Sequence, residues 1–218
     1  MEFVKAEHLK NLYSVKGSFY NIEIDNQVFE CRNYAEIYHK NNKCHSKYDA
    51  VFVLVNPGLC SPKYSTYQIP HYKKEEILKN FTPAKTDNTQ YQIMRCMLLK
   101  QWNNVLIINL SDIRAGNLTK FKQSVDEATS KGFESHSIFS SERKEELKDV
   151  LTRSKGPIIL AWGTNPIVKN LAEQAYASLP LEKIVGIEHT NRPFYYHASP
   201  TPLERKIKWL KEINERIS

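Results

Sequence analysis

The chain has 218 residues, 41% of them hydrophobic and 25% charged, which is typical of one globular domain with room for a sizeable core. Its apolar stretches are too short to cross a membrane and its first residues lack the apolar core of a signal peptide, so we expect a cytoplasmic protein with no membrane partner. The net charge of +7 favours a polyanionic partner, nucleic acid (DNA first) or a nucleotide, although the basic residues are dispersed.

Residues 1–48 are predicted to form a hairpin extension of a single domain whose core occupies residues 49–218. Residues 19–31 alternate apolar and polar side chains around Asp25 and Asn26, which is typical of a hairpin. We expect this hairpin at a sheet edge or as a separate flap, followed by a short helix within residues 33–47.

Four apolar runs predict the strands of the core, over residues 51–55, 105–109, 158–162 and 184–187. Continuous β-branched runs are typical of strands buried on both faces. Helices are predicted over residues 89–101, 121–131, 141–153, 165–177 and 202–217. Because strands alternate with helices, the pattern predicts a three-layer α/β/α domain with a central, mainly parallel four-stranded sheet.

Residues 59–88 form a long connection rich in tyrosine, lysine and proline. Aromatic side chains interleaved with lysines can stack bases and neutralise phosphates. The alternative is an ordered excursion whose tyrosines cover the core, and the sequence favours neither.

Polar residues end the core strands, and ligands of open α/β sheets bind beyond the carboxyl ends of such strands. Asn56 can orient a water molecule or bind an amide edge, but it cannot act as a general base. Pro57 and Gly58 turn the chain so that backbone N–H groups can approach a ligand, although the same tripeptide is also an ordinary turn.

Asn109 and His197 are the candidate residues at the later strand ends. Asn109 can hydrogen-bond a base or sugar, or simply cap its turn. His197 can donate to a developing oxyanion, with Ser199 holding a phosphate. The alternative for His197 is a structural histidine among tyrosines.

The helix predicted from Thr89 offers a possible anion site. Asp87 or Thr89 is a natural N-cap, and a helix N-terminus favours negative charge. Arg95, in the second turn of this helix, can reach a phosphate or pair with a surface carboxylate.

Four cysteines (Cys31, Cys44, Cys60 and Cys96) show no regular spacing, so reduced thiols are expected. A zinc site from Cys31, His39, Cys44 and His45 fits no common spacing. We therefore expect no metal and no cofactor.

Taken together, the motifs resemble the uracil-DNA glycosylase superfamily. Asn56-Pro57-Gly58 resembles the motif that follows the first strand of that superfamily, and the LIIN string ending at Asn109 resembles its pyrimidine-binding strand. The LAWG string ending at Gly163 resembles a later strand, and the HASPT string of residues 197–201 resembles the final motif. The likeness spans roughly residues 50–205. The aspartate general base of the superfamily is replaced by Asn56, and the leucine that wedges into the duplex by Thr201.

The chain is also similar to the bacterial family called domain of unknown function 1643. Six short motifs of that family have counterparts here: Asn56-Pro57, the Asp87 and Thr89 pair, Arg95-Cys96, Asn109-Leu110, the AWG string of residues 161–163 and the TPL string of residues 201–203. This likeness implies a fold and no activity.

The glycosylase resemblance implies hydrolysis of the N-glycosidic bond of a flipped, modified or mismatched base. Asn56 would orient the attacking water, Asn109 would bind the base edge and His197 would stabilise the departing base, while Ser199, Thr201, Thr89 and Arg95 are phosphate-binding candidates. Two alternatives remain: hydrolysis of free modified nucleotides, and nucleic-acid binding without catalysis.

Overall fold

The structure, a computed structural model, describes residues 3–41, 47–73 and 77–217. The helices are α1 (Ala6–Leu12), α2 (Asn88–Lys100), α3 (Leu118–Ser130), α4 (Lys144–Thr152), α5 (Lys169–Ser178) and α6 (Leu203–Arg216). The strands are β1 (Tyr13–Ile24), β2 (Gln27–His39), β3 (Ala50–Leu54), β4 (His71–Tyr72), β5 (Phe81–Pro83), β6 (Asn104–Asn109), β7 (Ile158–Leu160) and β8 (Ile184–Gly186).

All of these strands belong to one mixed sheet of eight strands, in the order β4-β1-β2-β6-β3-β7-β8 with β5 also paired to β1. The four predicted core strands are present as the parallel part, β6-β3-β7-β8. The prediction of a four-stranded sheet is wrong, because β2 pairs antiparallel with β6 and brings the whole hairpin into the sheet. Without β2, β6 would be an edge strand with a row of unpaired backbone groups.

The hairpin turn is confirmed at the predicted residues. Asp25 and Asn26 have φ angles of 50° and 62°, a left-handed conformation that these short polar residues tolerate. The helix expected within residues 33–47 is wrong over its first part, because β2 continues to His39 with neighbours on both sides. Residues 42–46 of that expectation lie outside the described residues.

The connection over residues 59–88 also joins the sheet, through β4 and β5 beside β1. Tyr72 packs against Tyr20 with ring centroids 6.3 Å apart, and Phe81 packs against Tyr34 at 6.4 Å. Tyr64 is exposed, with the Lys63 ammonium 5.8 Å from its ring centroid. Part of this aromatic set therefore covers the core, as one of the two interpretations expected.

The five predicted helices are confirmed as α2 to α6, and they pack with α1 against the sheet. Alternate residues of β3 enter two separate core clusters: Phe52 packs in the cluster that includes α1, α2 and α6, while Val51 and Val53 pack with α3, α4 and α5. Since successive strand side chains point to opposite faces, helices cover both faces of the sheet. None of the helices in the described ranges has the length and apolar character needed to cross a bilayer.

A buried ion network fastens the segment after β6 to α4. Arg143 Nη1 donates to Asp112 Oδ2 at 2.6 Å, and its Nε donates to Glu146 Oε2 at 2.7 Å. Tyr20 Oη donates to the same Asp112 carboxylate at 2.8 Å. Asp112 therefore has a structural role in this network.

His136 is a buried histidine that should make folding sensitive to acid. Burial lowers the pKa of its imidazole from the ordinary 6.5 to about 4, and its Nδ1 lies 3.0 Å from Ser111 Oγ. A folded-state pKa below the unfolded one gives stability that is complete above pH 6.5 and is lost as the pH falls towards 4. We expect the free energy of unfolding to drop by roughly 3 kcal/mol over this range from His136 alone.

Urea unfolding of wild-type and His136→Gln proteins at pH 7 and pH 4.5 measures this contribution. The variant should lose the His136 part of the pH dependence, whereas His8→Ala, which changes an exposed histidine, should keep it. Equal pH dependence in wild type and His136→Gln would contradict the assignment.

Candidate functional site

A pocket of about 230 Å³ lies beyond the carboxyl ends of β3 and β6, beside the first turns of α2 and α3. It is lined by Arg32, Leu54, Val55, Asn56, Pro57, Gly58, Asp87, Thr89, Gln90, Ile107, Ala115, Gly116, Asn117, Leu118 and His197. This is the edge at which the sequence predicted a site. A larger groove of about 930 Å³ runs between α4 and α5, but none of the predicted site residues lines it.

Asn56 lies two residues beyond β3 and is fixed by the loop that follows β6. Its Nδ2 donates to the backbone oxygen of Ala115 at 2.8 Å. This bond orients the amide, and Oδ1 has no partner among the described residues. The free oxygen can therefore accept a hydrogen bond from a water molecule or a ligand N–H.

His197 is held in one orientation by the backbone around it. The Ser199 N–H donates to His197 Nδ1 at 3.2 Å. Two residues before His197, Tyr195 forms an isolated β-bridge with Gly163. Gly163 has a φ of 89°, which favours glycine, and it lies close to the His197 Cβ. Ser199 thus contributes its backbone N–H, and it does not line the pocket.

The hydrogen bond from Ser199 also fixes the tautomer of His197. An Nδ1 atom that accepts a hydrogen bond carries no proton, so in the neutral ring the proton is on Nε2. Burial is the largest cause and lowers the pKa of the imidazole, while the charge of Asp87 raises it by less. At neutral pH the ring is therefore an uncharged Nε2–H donor at the pocket.

The N-termini of two helices border the pocket. Asp87 caps α2 in a capping box: its carboxylate accepts from the Gln90 N–H at 2.8 Å, and Gln90 Oε1 accepts from the Asp87 N–H at 3.0 Å. Asn117 caps α3 by accepting from the Lys120 N–H at 2.9 Å. Asp87 is thus the predicted N-cap, and Thr89 lines the pocket in the first turn of α2.

Arg32 is the pocket residue that the sequence reasoning missed. It is only 2% exposed, and its Nε and Nη1 atoms are buried without a hydrogen-bond partner in the described part of the chain. The sequence did carry one signal for Arg32: it is a charged residue in the continuation of the alternating pattern of residues 19–31. Its burial at the pocket, just beyond the end of the β2–β6 ladder, was not predictable from that pattern.

Asn109 is fully buried at the end of β6, next to the pocket but not among its lining residues. Both polar atoms of its side-chain amide lack a partner within the described residues, and the same holds for Asn33 on β2. Asn33 and Asn109 lie between the Ala35–Ile107 pair of the ladder and the hydrogen bond from Arg32 N to Asp112 O. Three residues with unpaired buried polar atoms therefore occupy the same short stretch of the β2–β6 junction.

Like Ser199, two more of the four phosphate-binding candidates, Arg95 and Thr201, do not line the pocket. Arg95 is 7% exposed; its Nε donates to Val4 O at 2.8 Å, and its guanidinium lies 3.8 Å from the Phe3 ring centroid. Arg95 thus holds the N-terminal segment against α2. Thr201 is exposed before α6 and is absent from the pocket lining.

No cluster of three or more His, Cys, Asp or Glu residues suited to a metal ion occurs in the described ranges. Cys31, Cys60 and Cys96 are buried free thiols. Cys44 and His45, which belonged to the possible zinc set, lie outside the described residues. The charged groups of the pocket lining are the Arg32 guanidinium and the Asp87 carboxylate.

Comparison with known proteins gives one family. The family model described as "Protein of unknown function (DUF1643)" matches residues 80–194, more than half of the chain. The chain belongs to the DUF1643 family. No curated protein and no solved structure matches it.

The DUF1643 match covers one side of the pocket. It runs from the start of β5 to just before His197 and includes Asp87, Asn109 and Asn117. Asn56 and Arg32 lie in the part of the chain that precedes it. The pocket of this DUF1643 protein thus combines residues from inside and outside the matched region.

The tautomer of His197 is directly measurable. We expect ¹⁵N-detected long-range NMR spectra at pH 7 to show a neutral imidazole with the proton on Nε2, and a titration midpoint below the ordinary 6.5. His197→Gln identifies the resonance. A proton on Nδ1, or a charged ring at pH 7, would contradict the hydrogen bonding described for Ser199.

Proposed function

We propose that this protein hydrolyses the N-glycosidic bond of a modified or mismatched base in nucleic acid. The observation that carries the proposal is the neutral Nε2–H donor of His197 in the same small pocket as Asn56, whose Oδ1 has no partner among the described residues. One group can stabilise a leaving anion and the other can orient a water molecule.

In the proposed reaction, water held by Asn56 attacks C1′ of the sugar, and the bond between C1′ and the base nitrogen breaks. The electron pair of that bond stays on the base, where the His197 Nε2–H donates to the resulting oxyanion. The proton released by the water goes to solvent or to the departing base, because Asn56 cannot take it. A neutral donor suits this step, since it stabilises negative charge without first giving up its proton.

The likeness to uracil-DNA glycosylases supports the same reaction. Asn56-Pro57-Gly58 and His197 line one pocket, with Asn109 beside it and Gly163 against His197. We propose the three-layer glycosylase-like arrangement and DNA as partner on the same basis. A flipped base costs a few kcal/mol to extract, least where it is mismatched.

Hydrolysis of a free modified nucleotide is the second candidate. The pocket volume of about 230 Å³ is below the ~300–1,000 Å³ of typical ligand sites, so it suits one base or one small metabolite. A free nucleotide would need no opening of a duplex. The two candidates share their chemistry and differ in substrate.

The test uses labelled single- and double-stranded oligonucleotides that contain uracil, mismatched thymine, hypoxanthine or no lesion, with alkali to reveal abasic sites. Deoxyuridine monophosphate, followed by chromatography, serves as the free nucleotide. We expect base release from at least one substrate, and a rate loss of about a hundredfold or more in His197→Ala. His8→Ala, at an exposed site on α1, is the matched control and should keep the wild-type rate.

Three outcomes separate the candidates. Strand cleavage lost in His197→Ala supports the nucleic-acid reaction, and release from the monophosphate alone supports the free-nucleotide reaction. Salt-sensitive oligonucleotide binding with no release from any substrate would overturn both and leave binding without catalysis.

A further inference from the structure

We propose that Arg32 is an anion-binding residue and that the pocket takes the phosphate group of a small metabolite. The inference concerns binding and not bond cleavage, so it stands whether or not the N-glycosidic reaction occurs. It begins from a buried guanidinium that has no carboxylate partner in the described part of the chain.

The first argument is the contrast between Arg32 and the other buried or partly buried arginines. Arg143 pairs with Asp112 and Glu146, Arg95 donates to a backbone oxygen, and Arg114 pairs with Glu30 at 3.1 Å. Arg32 is 2% exposed and pairs with no carboxylate in the described residues. A buried charge is costly unless it is paired, so an arginine kept in this state is expected to meet its partner in a ligand.

The second argument is the backbone feature that directs Arg32 towards the pocket. The β1–β2 ladder pairs Ser18 with Tyr34 and Phe19 with Arg32, which leaves Asn33 as an extra residue on β2. Tyr34 packs on the face covered by α3 to α5, whereas Phe19 packs on the face covered by α1, α2 and α6. Without the bulge, Arg32 would face the same side as Tyr34; with it, Arg32 shares the face of Phe19 and of the pocket residue Ile107.

The third argument is the charge distribution around the pocket. The N-termini of α2 and α3 place partial positive charge at its border, and His197 contributes an uncharged N–H donor. Asp87 is the one carboxylate of the lining, and it is held by the Gln90 N–H and makes no ion pair with Arg32. The pocket therefore combines donors that favour an anion with one carboxylate that can accept a hydrogen bond.

These donors favour phosphate over other anions. A guanidinium, an imidazole N–H and backbone N–H groups at helix N-termini can together satisfy an oxyanion with several oxygens. The small volume restricts the ligand to inorganic phosphate or a compact phosphomonoester, such as a nucleoside monophosphate. A carboxylate shares part of this chemistry and is a separate arm of the test.

The experiment measures thermal unfolding of wild-type, Arg32→Met and Arg32→Lys proteins with and without millimolar inorganic phosphate, a nucleoside 5′-monophosphate or acetate, at constant ionic strength. We expect phosphate to raise the Tm of the wild-type protein by about 2–4 °C. Phosphate should leave the Tm of Arg32→Met unchanged, and it should raise the Tm of Arg32→Lys. Because phosphate also stabilises proteins in general, the difference between wild type and Arg32→Met is the quantity of interest. The monophosphate should act like phosphate, and acetate should act weakly.

Arg143→Met is the matched control, since it replaces another buried arginine by the same apolar side chain. It leaves the fully buried Asp112 without its cation, so its Tm should fall by roughly 10 °C. Arg32→Met removes a buried charge that pairs with no carboxylate of the described residues, so its Tm without phosphate should equal or exceed that of wild type.

Two results would overturn the proposal. One is an equal phosphate response in wild type and Arg32→Met, which would put the anion elsewhere. The other is a Tm loss in Arg32→Met as large as that in Arg143→Met, which would make Arg32 a structural residue. A larger response to acetate than to phosphate would reassign the ligand to a carboxylate.

Discussion

Antiparallel pairing of β2 with β6 is the constraint on which the rest of the structure depends. It joins a local hairpin to four parallel strands, and so extends one sheet to eight strands. The ladder ends at Ala35 and Ile107, and just beyond it the chain places Arg32 and Asn33 next to Asn109. The junction therefore gives the carboxyl edge of the sheet polar groups from a part of the chain that the parallel strands do not contain.

The pocket separates two kinds of polar group. Asn56 and His197 are uncharged and are each fixed by one bond to backbone, through Ala115 O and the Ser199 N–H. Arg32 is charged and is fixed by packing and by its place in the sheet, and within the described ranges its buried Nε and Nη1 have no hydrogen-bond partner. Groups oriented in this way before a ligand arrives need little reorganisation when charge develops near them.

Arg32 and Arg143 show how the same side chain serves stability in one place and is free for binding in another. Arg143 lies in a closed network with Asp112, Glu146 and Tyr20, where each buried charge has a partner. Arg32 is buried without a carboxylate partner among the described residues, and a buried charge is costly unless it is paired. Sites that bind ligands often retain such costs, because the missing partner is the ligand itself.

The sequence by itself determined the local structure: the strands from continuous apolar runs, the helices from their periodicity, and the hairpin turn from Asp25 and Asn26. It also indicated the carboxyl edge of the sheet and, within it, Asn56, Thr89 and His197 as neighbours of one pocket. Only the tertiary structure decided that the hairpin belongs to the sheet, that Arg95 packs against Phe3, and that Arg32 faces the pocket. The physical reason is the sequence distance over which each feature is set. Hydrophobic periodicity is a property of neighbouring residues. Strand pairing, the one-residue bulge and the pairing of a buried charge depend on residues that are distant in sequence.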